Sequence, residues 1–313
     1  MHAPAPLFVV LNAGSGSKGA GEAKSTIEAV LRDAGRDHRL TVVDEARRLP
    51  ALARESAQAA RTQGGIVVAA GGDGTVNAVA QAAMDAGAVL GVLPLGTFNY
   101  FCRVHGIPDD LAEATQLLLA GTPRPVQAGL VNDRLFLVSA SLGLYPQVIE
   151  DREAYKRRYG RSRLVALWAG LVTLLQAHRP LRLALESHGA ARQLRTPTLF
   201  VGNNALQLDQ LGIAQAAAVA EGELVAITLQ PIGTLTMAWL LLRGALGQLG
   251  DASEVSSFSF ERLTVRPAAP LGTRPVKVAV DGEVLWLRAP LTFRAAPASL
   301  RLVGPARAEG VPA

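Results

Sequence analysis

The sequence predicts two domains of different class. The first is α/β, with a doubly wound parallel sheet; the second is mostly antiparallel β with two or more helices. Three observations carry this expectation. Through roughly the first 120 residues, apolar runs of strand length alternate with helical patterns, the mark of a parallel sheet covered on both faces. Near Thr122-Pro123-Arg124-Pro125 the pattern changes to short strands and hairpins. The chain has 313 residues, longer than a usual single domain. The expected division is residues 1–125 and 126–298, with a hinge near 122–128 and a final run, 299–306, returning to the first domain.

In order, Leu7–Leu11 reads as a buried strand and Asn12–Gly19 as a loop of small residues. Ala20 to Ala34 has a helical pattern, Leu40–Val43 reads as a strand and Leu49–Thr62 as a helix. Ile66–Ala70 is a second buried strand, Val76–Met84 an apolar-striped helix, and Val89–Pro94 a third inner strand. Asp109 to Ala120 is a helix that Asp109 or Asp110 can cap. Beyond the change of pattern, Asn132-Asp133 turns a hairpin between Gly129–Val131 and Leu135–Ser139. Further strands are expected at Leu181–Leu185, Thr198–Gly202, Leu224–Leu229, Leu263–Val265, Val276–Val280 and Val284–Leu287. Leu164–Ala177 and Leu235–Leu249 are apolar helical stretches that favour core packing or an acyl-chain slot.

Composition sets bounds on function. With 49% hydrophobic and 18% charged residues, the chain has ample material for a core and is not a disordered segment. The net charge of +5 comes mostly from arginine. It suits a polyanion or an anionic membrane surface, and arginine suits phosphate. Cys102 is the one cysteine, so no intramolecular disulfide can form. Neither apolar helical stretch reaches the roughly 20 residues of a membrane span, and Arg243 interrupts the second. The first residues lack the pattern of a secretion signal. A soluble cytoplasmic protein is expected, touching a membrane at most from the side, on its inner face.

Gly71-Gly72-Asp73-Gly74-Thr75 stands between a buried strand and a helix. Three glycines permit positive φ and close approach of a ligand. The backbone N–H groups at such a helix start favour an anion. Asp73 is the anomaly there: it is either a helix cap or a carboxylate facing a metal-bound phosphate or a hydroxyl that loses its proton. The loops after Leu11, Ala70 and Pro94 lie at the carboxyl edge of the expected sheet, where ligands bind. The first is not a Walker A loop, because Gly-Lys-Ser/Thr is absent at the right spacing. Asp281-Gly282-Glu283 lies between alternating apolar runs and reads as a hairpin turn whatever else it does. Asn203-Asn204 reads as a bulge or turn. Trp168, Trp239 and Trp286 are expected in the core or at the rim of a lipid cleft, and the histidines show no paired ligand spacing.

Four pieces in one order resemble the diacylglycerol-kinase catalytic-domain superfamily, which includes bacterial lipid kinases and the sphingosine kinases. They are Asn12…Gly16, Gly71–Thr75, Pro94-Leu95-Gly96-Thr97-Phe98-Asn99 and Val280-Asp281-Gly282-Glu283. Phe101–Pro108 is also similar to a family stretch, and Ser141–Pro146 with Val201–Asn204 resembles a bacterial subgroup. The resemblance implies a first domain of phosphofructokinase and NAD-kinase type, ATP bound in the cleft between the domains, and phosphorylation of a lipid hydroxyl. It implies that Asn12, Gly16, Gly71, Gly72, Gly74 and Thr75 hold phosphates and ribose, with Thr97 and Asn99 closing the adenine side. Asp73 would organise Mg²⁺, Glu283 would be the general base, and Asp281 joins them in the catalytic group. Lys18, Arg103 and Lys156 are candidates for the cationic part, Lys156 by its spacing from Gly160. The partners implied are a lipid substrate and a membrane surface, not nucleic acid.

The match departs from the family at two carboxylates associated with Mg²⁺. Tyr100 follows Asn99 where many members have Asp, and Gln127 stands where they have Asp at the start of the second domain. A structural Mg²⁺ site would fall at Glu221-Gly222-Glu223, with Glu221 as ligand. Two alternatives stay open: an NAD kinase, which shares the central glycine motif, and a catalytically impaired nucleotide- or lipid-binding homologue.

Overall fold

The computed structural model describes residues 4–12, 19–143, 180–187, 190–233, 247–267 and 275–305, with isolated positions between 236 and 243. The chain divides into two compact units. Unit 1 is Met1–Ala128 with Pro297–Ala313, and unit 2 is Gly129–Ala296.

Unit 1 begins β1 (Leu7–Asn12), α1 (Ala20–Asp33), β2 (His38–Val43), α2 (Leu49–Thr62), β3 (Ile66–Gly71), α3 (Asp73–Ala86), β4 (Val89–Pro94), α4 (Tyr100–Val104) and α5 (Leu111–Ala120). The strands pair in parallel in the order β2-β1-β3-β4. The residues of β3 are all buried, as its unbroken apolar run requires for a strand covered on both faces. Helix α2 packs with α3, and α1 with α5. The helix ends follow their local chemistry. Gly87, left-handed at φ 66°, closes α3, while the Asp110 carboxylate accepts the N–H groups of Ala112 and Glu113 to start α5. Of the two aspartates expected as caps, Asp110 serves and Asp109 does not.

The chain leaves unit 1 along β5 (Thr122–Val131), a strand where a hinge was expected. Unit 2 continues with β6 (Arg134–Phe136), β7 (Ser139–Gly143), β8 (Leu181–Ser187), β9 (Ala190–Thr196), β10 (Thr198–Gly202), α6 (Ala205–Gln210), β11 (Leu224–Leu229), β12 (Val255–Phe260), β13 (Arg262–Pro267), β14 (Val276–Val280) and β15 (Glu283–Leu287). β16 (Leu291–Gly304) ends the series. One antiparallel sheet runs β12-β11-β10-β7-β14-β15, and β9-β8-β13-β16 forms another. Leu142, Leu199, Leu224 and Val278 of the first sheet share one core with Leu183, Leu185, Val265 and Phe293 of the second. This is a β sandwich, so the expected fold class holds in both units. The last part of β16 belongs to unit 1, where Arg301 and Leu302 pair in parallel with Val89 and Leu90 of β4.

Three strands were not expected: besides β9 and β12, β7 (Ser139–Gly143) begins where the expected Leu135–Ser139 strand was to end, because the chain bends at Leu137-Val138. Ala190–Thr196 is mostly exposed and polar, and Val255–Phe260 alternates serine with phenylalanine, so neither offers an apolar run. Leu164–Ala177 and Trp168 lie outside the described residues, as does most of Leu235–Leu249. Trp239 and Trp286 are 56% and 63% exposed, so of the two places expected for them the core is excluded. Among the described residues no helix is long and apolar enough to cross a membrane.

Candidate functional site

In unit 1 the strand order reverses direction at β1, with β2 on one side and β3 on the other. Crevices at such switch points, outside the carboxyl ends of the strands, are where open α/β sheets bind ligands. The carboxyl ends of β1, β3 and β4 lie side by side there because the three strands are parallel neighbours. Hydrogen bonds join them. The Asn12 side-chain amide donates to the Thr75 hydroxyl at 2.9 Å, tying β1 to α3, and Leu95 N–H donates to Gly71 O at 2.9 Å.

The glycines serve close approach rather than left-handed backbone. Gly72 has φ −82°, and neither Gly71 nor Gly74 adopts positive φ. A Cβ on Gly71 would stand 2.6 Å from the Thr75 side chain. On Gly96 it would meet Asn99 Oδ1 at 2.8 Å and Gly72 Cα at 2.9 Å. The two motifs therefore touch backbone to backbone, and only hydrogen fits between them.

Gly72, not Asp73, is the cap residue of α3, and Asp73 is the first helical residue. The N–H groups of Thr75 and Val76 both turn back to Gly72 O and the Asp73 N–H faces its own carboxyl, which leaves Gly74 as the donor at the mouth of the helix. The Asp73 carboxyl is pushed above the ordinary carboxylate range by burial. The backbone N–H groups of Asn99, Asp73 itself and Tyr100 oppose that shift but do not cancel it. Such a carboxylate gains when a cation arrives beside it.

Asn99 is buried and left-handed at φ 48°. Its amide donates to Gly96 O and to Asp109 Oδ1, each at 3.2 Å. It shapes the loop that delivers N–H groups to Asp73, whereas Thr97 and Phe98 beside it are exposed. The Phe98 and Tyr100 rings stack 5.8 Å apart, 4° from parallel. Asp109 was missed as a site residue because its partner lies ten residues away across a turn. Cys102 is buried, and burial first, then the nearby charges of Asp73 and Asp109, pushes its thiol up to about 12. It stays a protonated thiol.

In unit 2 the β14–β15 hairpin turns through Asp281 and Gly282, at φ 44° and 88°. Glu283 opens β15 on the exposed side of the hairpin, yet the protein around its carboxyl excludes enough water to raise its pKa. Asp281, expected in the catalytic group, is engaged otherwise. It accepts backbone N–H bonds from Leu137 at 2.7 Å, Val138 at 2.9 Å and Ser139 at 2.8 Å. It fixes the entry of β7 against the hairpin that carries Glu283, the role of a positioning residue. Asn203 adds to the same junction, its amide donating to Leu137 O at 3.1 Å and its N–H to Val138 O at 2.8 Å. Asn204 caps α6 through Gln207 N–H. The Asn203-Asn204 pair is thus a buried junction.

Gly16, Lys18 and Lys156 lie outside the described residues. Arg103 is exposed. Glu221 is exposed in the turn before β11, and among the described residues no three His, Cys, Asp or Glu side chains gather to hold a metal. A magnesium ion can still fit at Asp73, because Mg²⁺ commonly takes one or two carboxylates together with substrate phosphates and water. The desolvated, cation-seeking state of Asp73 is the observation that supports this fit.

The sequence matches the diacylglycerol kinase catalytic domain over residues 6–131 and the YegS C-terminal NAD kinase beta sandwich-like domain over residues 140–304. A protein of Pseudomonas syringae pv. syringae named a probable lipid kinase, YegS-like, is 30% identical over 77% of this chain and 76% of its own. The Bacillus subtilis diacylglycerol kinase is 33% identical over 42% of this chain and 44% of that protein. With a YegS-like relative from Klebsiella pneumoniae the match is 44% identical but spans 25% of this chain and 27% of the relative. Among solved structures, a diacylglycerol kinase from Bacillus anthracis superposes over 96% of both chains with a TM-score of 0.70 at 17% identity, a likeness of fold. The chain belongs to the diacylglycerol-kinase catalytic-domain family, in a YegS-like branch whose relatives carry the name probable lipid kinase.

Proposed function

We propose that this protein is an ATP-dependent kinase that phosphorylates a hydroxyl of a membrane lipid of the diacylglycerol type. The observation that carries the reading is Asp73: a desolvated carboxylate at the first turn of a helix, at the switch point of a parallel sheet, braced by the Gly96–Tyr100 loop. Phosphoryl transfer needs positioned donors and charge neutralisation more than covalent help from the protein. The Gly74 N–H holds a phosphate oxygen at the dipole end of α3. Asn12 fixes the Thr75 side chain by donating to its hydroxyl. Asp73 would hold a magnesium ion, which would supply charge neutralisation at the transferring group. Gly16 and Lys156 belong to the same reading.

Glu283 is the general base. The lipid oxygen bonds to the γ-phosphorus, its proton passes to the Glu283 carboxylate, and ADP leaves. A pKa raised by burial makes this carboxylate a stronger base. The NAD kinase reading accommodates the glycine motif equally well, so the test includes NAD.

The experiment incubates the protein with labelled ATP, Mg²⁺ and a mixed bacterial lipid extract. Wild type should yield a phosphorylated lipid, and Asp73→Ala and Glu283→Gln should each lose at least a hundredfold of that yield, the scale of a lost general base. The base works only when ionised, so the acid limb of the rate profile should lie above the ordinary glutamate range. Equal yields from the three proteins, or NADP formation from added NAD, would overturn the reading.

A further inference from the structure

The outer face of the β9-β8-β13-β16 sheet carries arginine on every strand. β8 and β13 send Leu183, Leu185, Leu263 and Val265 into the core, so the alternate residues Arg182, Glu186, Arg262 and Arg266 point outward. Arg195 of β9 stands opposite Arg182, and Arg294 of β16 stands opposite Arg262. Arg182, Arg195, Arg262 and Arg266 are exposed and Arg294 is partly so. Against these five arginines, Glu186 is the one carboxylate at the described outward positions, and it bonds Arg266 at 2.7 Å. Like charges directly opposite on neighbouring strands cost stability, and this face has two such pairs. An open groove of about 720 Å³ crosses it, lined by Arg182, Arg195, Arg266, Gln193 and Pro267 among others.

We propose that this sheet face is the surface by which the protein docks on an anionic phospholipid bilayer. Charge complementarity identifies the partner. Guanidinium groups bind phosphate in a fork, and an array of lipid phosphates relieves the repulsion within both arginine pairs. The spread of the arginines decides against one small anion. Four strands spaced about 4.8 Å apart carry the charges across roughly 14 Å, wider than a single phosphate but matched to a plane of headgroups. The choice of a bilayer over nucleic acid rests on the lipid-kinase reading, since the acceptor of such an enzyme resides in a membrane.

The test uses the full chain with phosphatidylcholine vesicles, the same vesicles containing phosphatidylglycerol, and duplex DNA. Wild type should sediment with the phosphatidylglycerol vesicles alone, and less so as salt rises. Each arginine near a charged surface is worth about fivefold in affinity, so Arg182→Gln with Arg195→Gln should weaken binding about twenty-five-fold. Arg262→Gln with Arg294→Gln should do the same. Thermal unfolding of both double variants should occur no lower than wild type, because each removes a repulsive pair. Vesicle binding that ignores phosphatidylglycerol, double variants that bind like wild type, or equal affinity for duplex DNA would overturn the proposal. A dissolved short-chain diacylglycerol separates the two readings. Its phosphorylation without vesicle binding removes the docking face alone, whereas arginine-dependent vesicle binding without any lipid product upholds the face and removes the kinase.

Discussion

Replacing Asp281 tests whether this carboxylate holds structure or takes part in chemistry. Its oxygens accept the N–H groups of Leu137, Val138 and Ser139, residues that are all buried. Each bond is worth about 1 kcal/mol net, and the orphaned donors cannot all find water. Asp281 also sits at φ 44°, a left-handed conformation that aspartate tolerates and alanine resists by about 1 kcal/mol. Asp281→Ala should therefore destabilise unit 2 by about 4 kcal/mol. Asp281→Asn keeps one acceptor oxygen and the turn preference, and should lose about half as much. Urea unfolding followed by tryptophan fluorescence reads both. If Asp281→Ala stays within about 1 kcal/mol of wild type, the clamp contributes nothing and the reasoning fails. If Asp281→Asn keeps full stability yet loses all activity, Asp281 belongs to the chemistry after all.

Two further predictions concern unit 1. His105 packs edge-on against Phe101 at 4.5 Å, and burial, aided by the charge of Arg124, lowers its pKa to about 4. A lowered histidine pKa means that the unfolded chain takes up a proton first. Stability should therefore fall by about 3 kcal/mol as pH drops from about 6.5 to about 4, and His105→Phe should flatten that part of a pH–stability curve. Gly96→Ala forces a Cβ to within 2.9 Å of the Gly72 backbone, so it should cost about 1–3 kcal/mol and most of the activity. Gly21→Ala, on the exposed face of α1 with open space around it, should instead stabilise by about 0.5–1 kcal/mol. Equal effects at the two glycines in chemical denaturation would refute the close-approach argument.

The elements that could be read from the sequence are those whose neighbours do not matter to the signal. β3 declares itself because a strand covered on both faces must be apolar throughout, and α3 because its stripe has helical period. Asp281-Gly282 reads as a turn because few residue pairs accept positive φ twice in succession. β9 and β12 stayed hidden because an edge strand with polar faces resembles a loop until a partner pairs with it.

At the site, the sequence placed Asn12, Gly71–Thr75 and Gly96–Asn99 at the carboxyl ends of strands, because strand periodicity and loop chemistry are local signals. What each side chain does there was decided by distance in space. Asn99 is a support because Asp109 and Gly96 accept its amide, and Asp73 favours a cation because the surrounding atoms remove its water. Asp281 is a clamp because β7, 142 residues earlier in the chain, brings its N–H groups within reach. Residue type states what a group can donate or accept; only folding supplies its partner and its solvent, and those two fix the charge it carries and the work it does.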